Sequence, residues 1–231
     1  MSKFFPIRLL ERRQIAPSVL HLAFVRDDGE ALDYTPGQFI QIHFSGEAVE
    51  FVASIVPGGA ATALFQGMAA GDRLQASGPL GLFTLKPTDA NRRYLLIATG
   101  TGVASYRSML PQLDAMIRER GVEVIVVHGA RIPAELLFAD EFLAMVDKHP
   151  GKFRYLPCLS REEMVDAGAF AGAEPAHGYV QNRLADLAPS AEHDIAYMCG
   201  NPNMVDAVVA ALKEHGLPMK DIRREKYISL K

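Results

Sequence analysis

The sequence predicts two domains, an N-terminal antiparallel β barrel followed by a C-terminal α/β domain with a doubly wound parallel sheet. Up to about Leu85, short alternating runs are separated by turns containing Gly or Pro, at the spacing of a barrel. From Arg93 onward, continuous apolar runs alternate with helical patterns, which indicates βαβ units. A polar segment, KPTDANR, separates the two patterns, and we place the domain boundary between residues 90 and 91.

The N-terminal domain is predicted to consist of short strands and one short helix. The strand-like runs are VLHLAFV, FIQIHF, VEFVASIV and DRLQASG, which begin at residues 19, 39, 49 and 72. The helix is expected near residues 60–66, after a pair of glycines.

The C-terminal domain is predicted to alternate strands with helices. Its strands are RYLLIAT, VEVIVVHGA, KFRYLPCLS and DIAYMCG, and its helices are SYRSMLPQLDAMIRERG, ELLFADEFLAMVDKH, VQNRLADLA and NMVDAVVAALKEHG. Such alternation predicts a parallel sheet with right-handed crossovers.

Composition excludes several classes of protein. The chain has 231 residues, of which 49% are apolar and 22% charged, and its net charge of −3 does not favour binding to nucleic acid. No apolar run approaches the roughly 18 residues of a membrane span, and the N-terminus does not resemble a signal peptide, so we expect a cytoplasmic protein. The two cysteines are too few for an iron–sulfur cluster, the histidines show no metal-ligand spacing, and GxSxG is absent. We therefore expect no metal site.

The segment ATGTGVASYR follows the first strand of the α/β domain. Gly100 and Gly102 would let the backbone approach a ligand, and the helix that follows favours an anion such as a dinucleotide pyrophosphate. The third glycine of the dinucleotide fingerprint is absent, with Ser105 nearby. A glycine turn with a purely structural role stays open on these residues alone.

Two more candidate positions lie at predicted carboxyl ends of parallel strands, where open α/β sheets bind ligands. Cys199 ends one strand, and the alternative is an inert buried thiol, which is also our interpretation of Cys158. Ser160 and Arg161 follow another strand and suit a phosphate monoester, with a solvated charge as the alternative. His128 is predicted to be a packed strand-end residue.

Five motifs occur in one order along the chain: PGQFIQI, GGAATAL before GD and GPLG, ATGTGVASYRSML, CGNPNM, and EKY. In this order the chain resembles the ferredoxin–NADP⁺ reductase family over nearly its whole length. The resemblance implies an FAD-binding Greek-key barrel, an NADP(H)-binding α/β domain, and hydride transfer between NADPH and flavin. It further implies that single electrons pass to a separate ferredoxin or flavodoxin, and we expect a monomer.

The resemblance also implies roles for particular residues. The FAD pyrophosphate would lie on Gly59, Ala60, Ala61 and Thr62, and NADP(H) would face Thr99, Gly100, Thr101 and Gly102. Ser160 and Arg161 match a pair that holds the 2′-phosphate. Tyr179 matches a tyrosine that stacks on adenine, while His177 stands where the family has a lysine.

Three residues are implied to be catalytic. Cys199 would lie beside the nicotinamide, Glu225 would stabilise the transition state or relay protons, and Tyr227 would stack on the flavin ring. Such stacking contributes on the order of 1 kcal/mol. The alternative for EKY is a polar C-terminal tail, since four residues follow Tyr227.

One family strand is absent from this sequence. The family has a strand carrying Arg-x-Tyr-Ser between PGQFIQI and the strand before PGG, whereas here only Ser-Gly-Glu lies between Phe44 and Ala48. In the family, the neighbours of that strand run in the same direction, and parallel strands cannot be joined by so short a turn. Three explanations stay open: an omitted segment, which we favour, a true deletion with a rewired barrel, and a non-catalytic family member.

Three functions follow from these explanations. The first is an FAD-dependent NADPH reductase that serves a separate electron carrier. The second is a free-flavin reductase or the reductase component of an oxygenase. The third is an NADP-binding protein without flavin.

Overall fold

The structure is a computed structural model that describes residues 4–31, 34–36, 38–41, 49–162 and 170–227. The chain divides into two units, Met1–Thr84 and Leu85–Lys231. This division lies within a few residues of the boundary placed between residues 90 and 91. Within the described ranges, no helix is long and apolar enough to cross a membrane.

The N-terminal unit is a five-stranded antiparallel sheet with the order β3-β5-β1-β2-β4. Its elements are β1 (Phe4–Ala16), β2 (Val19–Arg26), β3 (Phe39–Gln41), β4 (Val49–Ser54), α1 (Ala60–Gly67) and β5 (Arg73–Leu80). The four predicted strands and the helix are present. Strand β1 was not predicted, because its second half is polar and hides the alternation of its first half.

Alternate residues of β1 and β2 build the core of this unit. Phe5, Ile7 and Leu9 are buried on one face, and Leu20, Leu22 and Phe24 pack against them. Helix α1 contributes Phe65 to the same cluster. Burial of this face therefore fixes the register of β1 and β2.

Strands β3 and β4 lie at opposite edges of this sheet and run in the same direction, because every neighbouring pair between them is antiparallel. Within the described ranges, β3 and β4 are not paired with each other. This is the relative direction that the family resemblance implies for the neighbours of the absent strand. Residues 42–48, which contain the Ser-Gly-Glu junction, lie outside the described residues.

The C-terminal unit contains a six-stranded parallel sheet with the order β11-β10-β6-β7-β8-β9. Its strands are β6 (Arg93–Thr99), β7 (Glu123–Ala130), β8 (Phe153–Leu159), β9 (Ala176–His177), β10 (Asp194–Gly200) and β11 (Ile222–Lys226). Its helices are α2 (Ala104–Arg120), α3 (Ala139–Lys148), α4 (Leu184–Leu187) and α5 (Pro202–Glu214). The predicted fold class, an antiparallel barrel-type sheet followed by a parallel α/β sheet, is confirmed.

Helices cover both faces of the parallel sheet. On one face, Phe142 of α3 stacks on Tyr155 of β8, and α2 packs beside α3. On the other face, residues of α4 and α5 such as Leu184 and Val208 share a core with Leu95 and Ile97 of β6. Alternate residues of each central strand thus face different helices, which explains why these strands are almost continuously apolar.

Some predicted boundaries differ from the structure. The helix expected over ELLFADEFLAMVDKH begins only at Ala139, after a 3₁₀ turn at Pro133–Glu135 and a left-handed residue, Phe138 (φ 58°). The pattern VQNRLADLA forms a 3₁₀ turn, Val180–Arg183, followed by the single turn of α4. Strand β11 was missed because its sequence, IRREK, is charged and does not alternate.

A buried ion pair joins β6 to β10. The guanidinium of Arg93 donates to both carboxylate oxygens of Asp194, at 2.7 and 2.6 Å, and Asp194 has no exposed surface. The amide of Ser190 also donates to this carboxylate, at 2.7 Å. The charge of Asp194 is therefore fully compensated inside the protein.

Candidate functional site

The candidate site begins where β6 and β10 end. These strands pair in parallel with Cys199 beside Ala98, so the turn after Thr99 and the segment after Cys199 lie at the same edge of the sheet. Residues Gly100–Val103 form a 3₁₀ turn that leads directly into α2, and Gly100 adopts a left-handed conformation (φ 54°). The four residues predicted to face NADP(H), which are Thr99, Gly100, Thr101 and Gly102, thus form one turn ahead of a helix N-terminus.

Two glycines allow the backbones of these segments to touch. A Cβ atom on Gly102 would lie 2.3 Å from the carbonyl oxygen of Cys199. At Gly200 (φ 131°), a Cβ atom would lie 2.7 Å from both the carbonyl oxygen and the Oγ1 of Thr99. Any side chain at either position would separate the two loops. The sequence predicted that Gly102 lets the backbone approach a ligand. It did not predict that the contact between the two loops also requires a glycine at position 200.

Asn201 connects the two loops and starts α5. Its backbone amide donates to the Oγ1 of Thr99 at 3.1 Å, so the Thr99 hydroxyl accepts a bond within the protein. The Asn201 side chain caps α5 by accepting from the amide of Asn203 at 2.9 Å. The positions of Thr99 and Cys199 are therefore fixed relative to each other by hydrogen bonds as well as by packing.

The three predicted catalytic residues lie together beside this turn. Glu225 of β11 is the register partner of Cys199, and the amide of Tyr227 donates to the carbonyl oxygen of Gly200 at 2.9 Å. The Sγ of Cys199 lies 3.9 Å from the Oγ of Ser105, a residue of α2. Cys199 is fully buried, while Tyr227 keeps 40% of its surface exposed.

Burial controls the ionisation of this cluster. It raises the pKa of the Cys199 thiol to about 11, so the thiol stays protonated at neutral pH. Burial also raises the pKa of Glu225 and that of Tyr227 above their ordinary values. A carboxyl group with a raised pKa can hold a proton more readily at neutral pH, which suits Glu225 to proton transfer.

Ser160 and Arg161 lie at the next part of the same edge, where β7 and β8 end. The amide of Ser160 donates to the carbonyl oxygen of Ala130 at 3.0 Å, and that of Arg161 donates to the carbonyl oxygen of Arg131 at 3.0 Å. The β7–β8 ladder thus continues past the strands and places the Arg161 side chain, which is exposed, at the edge.

Tyr179 and His177 follow at the end of β9. His177 is the register partner of Leu159, and its Nδ1 donates to the carbonyl oxygen of Glu162 at 2.6 Å. Tyr179 is 63% exposed. The carboxyl ends of β8 and β9 therefore bring Ser160, Arg161 and Tyr179 to the same edge of the sheet as the loop that begins at Thr99 on β6.

The residues predicted to hold the FAD pyrophosphate belong to the N-terminal unit. Gly59 precedes α1, and the first-turn amides of Ala60, Ala61 and Thr62 have no carbonyl partner within the helix. The Oγ1 of Thr62 accepts from the amide of Val56 at 2.9 Å, which orders the loop before the helix. A helix N-terminus with ordered amides fits the charge and donor requirements of a pyrophosphate.

The residues predicted to be packed rather than functional are buried. His128 is fully buried, with its Nδ1 3.0 Å from the Tyr155 hydroxyl, and burial lowers its pKa to about 3. Burial raises the pKa of Cys158 to about 12. The sequence analysis did not identify Ser105 as a neighbour of Cys199, because only the fold brings α2 against β10.

Comparisons with known proteins agree with this arrangement. The family described as oxidoreductase NAD-binding domain matches residues 96–210. The reductase subunit of aromatic O-demethylase from an Amycolatopsis species is 32% identical, over 93% of this chain and 70% of that protein. Ferredoxin–NADP reductase B of Sorangium cellulosum is 31% identical, over 96% of this chain and 97% of that protein.

A solved structure with the same fold is the cytochrome P450 reductase GcoB of Amycolatopsis. It superposes with a TM-score of 0.83 at 31% identity, over 97% of this chain and 70% of that chain. The chain spans only 59% to 65% of several other similar proteins, which are a phenol hydroxylase P5 protein and propane 2-monooxygenase reductase components.

The alignment with the Sorangium protein extends over 249 positions, whereas this chain has 231 residues. Summed over the whole alignment, at least 18 positions (249 − 231) of that protein therefore have no counterpart here.

Proposed function

The chain belongs to the ferredoxin–NADP reductase family, and from that premise we propose that it transfers a hydride between NADPH and FAD and passes electrons to a separate ferredoxin or flavodoxin. FAD and NADP are the cofactors that the sequence predicts, and both are supported by the family. The chain is an oxidoreductase, as its relatives are.

One observation carries this proposal: Cys199, Glu225 and Tyr227 lie together at the edge where the Thr99–Gly102 turn begins α2. A nucleotide whose pyrophosphate rests on this turn would extend its nicotinamide toward Cys199. The small, uncharged thiol leaves room for a planar ring and adds no charge to it. The neighbouring Glu225 supplies a group that can hold a proton.

Tyr227 would control access to this position. Its backbone is tied to Gly200 at 2.9 Å, while its partly exposed side chain interacts with the fully buried thiol of Cys199. The ring must therefore move before a nicotinamide can reach Cys199. Bound FAD would supply a two-electron acceptor that releases electrons singly, and Tyr227 would stack on its ring when no nicotinamide is there.

The edge formed by β7, β8 and β9 would bind the adenosine half of the nucleotide. The exposed guanidinium of Arg161 would bind a 2′-phosphate beside the Ser160 hydroxyl. The exposed ring of Tyr179 offers a surface for adenine stacking. These contacts favour NADP over NAD.

The electron carrier lies outside this sequence. Cys158 and Cys199 are both buried, and two cysteines cannot supply the four ligands of a Cys₄ iron–sulfur cluster. A separate carrier protein, or a part of a longer polypeptide, would therefore receive the electrons. We propose that the chain acts as a monomer in the cytoplasm.

A second candidate is the reductase component of an oxygenase, or a reductase of free flavin. It is favoured by relatives that are reductase components. Within the described residues, β3 and β4 each pair on one side only, and an open sheet edge of this kind would favour weaker retention of flavin.

The visible spectrum of the purified chain, followed by anaerobic addition of NADPH, separates these functions. A flavin spectrum that NADPH bleaches is expected for the reductase with retained FAD. A colourless protein that reduces only added flavin would instead support the second candidate. Absence of flavin binding and of turnover with any acceptor would contradict both and leave a nucleotide-binding protein.

A further inference from the structure

A carboxylate lies among the basic side chains where β7 and β8 end. The Oε2 of Glu135 accepts from the Nε of Arg131 at 2.9 Å and from the Arg131 amide at 3.2 Å. A second guanidinium nitrogen of Arg131 donates to the Oε1 of Glu135. The pair is therefore bidentate, and Glu135 is also held by the backbone.

Glu135 also interacts electrostatically with Arg161. The amide of Arg161 donates to the carbonyl oxygen of Arg131, so the two arginines are hydrogen-bonded neighbours across the end of the β7–β8 ladder. Arg131 and, more weakly, Arg161 hold the pKa of Glu135 below its ordinary value, so the carboxylate stays ionised. Its side chain is only 14% exposed, which limits screening by solvent.

The three ionised side chains at this edge have a small net charge. Two guanidinium groups and one carboxylate leave a single net positive charge on Arg131, Arg161 and Glu135. NADPH differs from NADH by one phosphate group, which carries nearly two negative charges at neutral pH. The electrostatic preference for NADPH therefore depends directly on whether Glu135 is charged.

We propose that Glu135 is a specificity-determining residue, which neutralises Arg131 and so limits the preference of the wild-type chain for NADPH over NADH. This inference rests on the proposed function, in which Ser160 and Arg161 face the 2′-phosphate. Glu135 itself need not touch the nucleotide. Its carboxylate cancels one positive charge at the part of the site where the 2′-phosphate would lie.

The test is a set of nucleotide titrations with the full chain at low ionic strength, with calorimetric detection of NADP⁺ and NAD⁺ binding. Glu135→Gln keeps the shape and an acceptor oxygen but removes the charge, and should tighten NADP⁺ binding by at least about threefold. NAD⁺ binding should not change. The gain should shrink in high salt.

Arg131→Gln is the second variant. It removes the positive charge that neutralises Glu135, so that an uncompensated carboxylate lies near Arg161. It should weaken NADP⁺ binding by at least about threefold and leave NAD⁺ unchanged, and the double variant should return close to wild type. Glu174→Gln is the matched control: Glu174 also pairs bidentately with an arginine, Arg154, which lies near the opposite end of β8. It should change neither affinity.

The outcomes separate this inference from the proposed function. Equal changes for NADP⁺ and NAD⁺, or weaker binding in both single variants, would show that the pair has only a structural role. An unchanged ratio of the two affinities would also overturn the inference. If none of the proteins, wild type included, binds either nucleotide, the proposed function itself fails.

Discussion

The backbone of Gly102 rests directly on the carbonyl group of Cys199, so closely that a Cβ atom would lie 2.3 Å from its oxygen. This contact joins the turn after β6 to the end of β10 with no side chain between them. The turn proposed to bind nucleotide and the cysteine proposed to be catalytic therefore cannot move independently. The first prediction tests this contact.

Gly102→Ala should destabilise the protein by about 1–3 kcal/mol, because backbone atoms on both sides must move apart. The same movement should displace Cys199 and weaken nucleotide binding. Thermal denaturation and NADP⁺ titration measure the two effects. Gly67→Ala is the control, since a Cβ there meets nothing within 4 Å in a helical position, and it should cause no destabilisation.

Replacing Tyr227 with Ala should expose Cys199. The thiol is fully buried beneath the partly exposed tyrosine, and burial is what raises its pKa to about 11. Removal of the ring should increase the rate of Cys199 alkylation at pH 8 at least about tenfold, because both access and thiolate fraction rise. Peptide mass mapping measures the rate, with buried Cys158 as the internal control. A Cys199 rate equal to that of wild type would contradict the covering role of Tyr227.

The buried His128 should make the protein sensitive to acid. Its pKa is lowered to about 3 in the folded state, compared with an ordinary value near 6.5, so the unfolded chain binds the proton first. The stability contributed by neutral His128 is complete above about pH 6.5. It decreases by up to about 1.4 kcal/mol per pH unit as the pH falls toward 3.

His128→Gln should therefore flatten the loss of stability between pH 6.5 and pH 4.5, although it destabilises the protein at pH 7.5. Denaturant unfolding at several pH values measures this. His215→Gln serves as the control, because His215 is exposed. If the wild type and His128→Gln lose stability in parallel, the acid sensitivity comes from other groups.

Asp194→Ala should be among the most destabilising changes in the parallel sheet. Asp194 is fully buried and accepts from both Arg93 and the Ser190 amide, so its removal leaves the Arg93 charge without a partner. A loss of about 3–5 kcal/mol is expected. By contrast, Asp186→Ala removes an exposed ion pair with Arg183 and should change stability by less than about 1 kcal/mol. Urea unfolding compares the two variants.

Intact mass measurement of the purified natural protein tests the junction at Ser-Gly-Glu. A direct junction gives 25.2 kDa, the mass of this sequence. We expect a larger mass, by a strand and its loop, together with a retained flavin spectrum. A mass of 25.2 kDa with fully retained FAD would show that the absent strand is dispensable for flavin binding.

Much of the fold could be predicted from the sequence, because the central strands of the α/β unit are continuously apolar and their helices carry clear periodicity. RYLLIAT and DIAYMCG became β6 and β10 with the expected limits. The strands that were missed are β1 and β11, which are rich in charge, and β9, which has only two residues. Their strand form depends on pairing with distant partners, such as β10 with β11, which no local pattern reveals.

The candidate site was predicted less completely, because only tertiary contacts bring the missed residues to it. Cys199 and the ATGTG turn carry recognisable motifs. Gly200 and Ser105 matter only because two loops distant in sequence come into contact. Glu135 looked like an ordinary helix residue, although the structure places it in a 3₁₀ turn against Arg131.

Among the described residues, β11 is the strand nearest the C-terminus, and it carries Glu225, with Tyr227 directly after it. A polypeptide that stopped before residue 222 would still contain five of the six parallel strands and the turn at Thr99 to Gly102. Such a fragment would keep the turn proposed to bind nucleotide but would lack Glu225 and Tyr227. The pairing of β11 with β10 thus makes the proposed reaction depend on the complete parallel sheet, whereas the proposed nucleotide site does not.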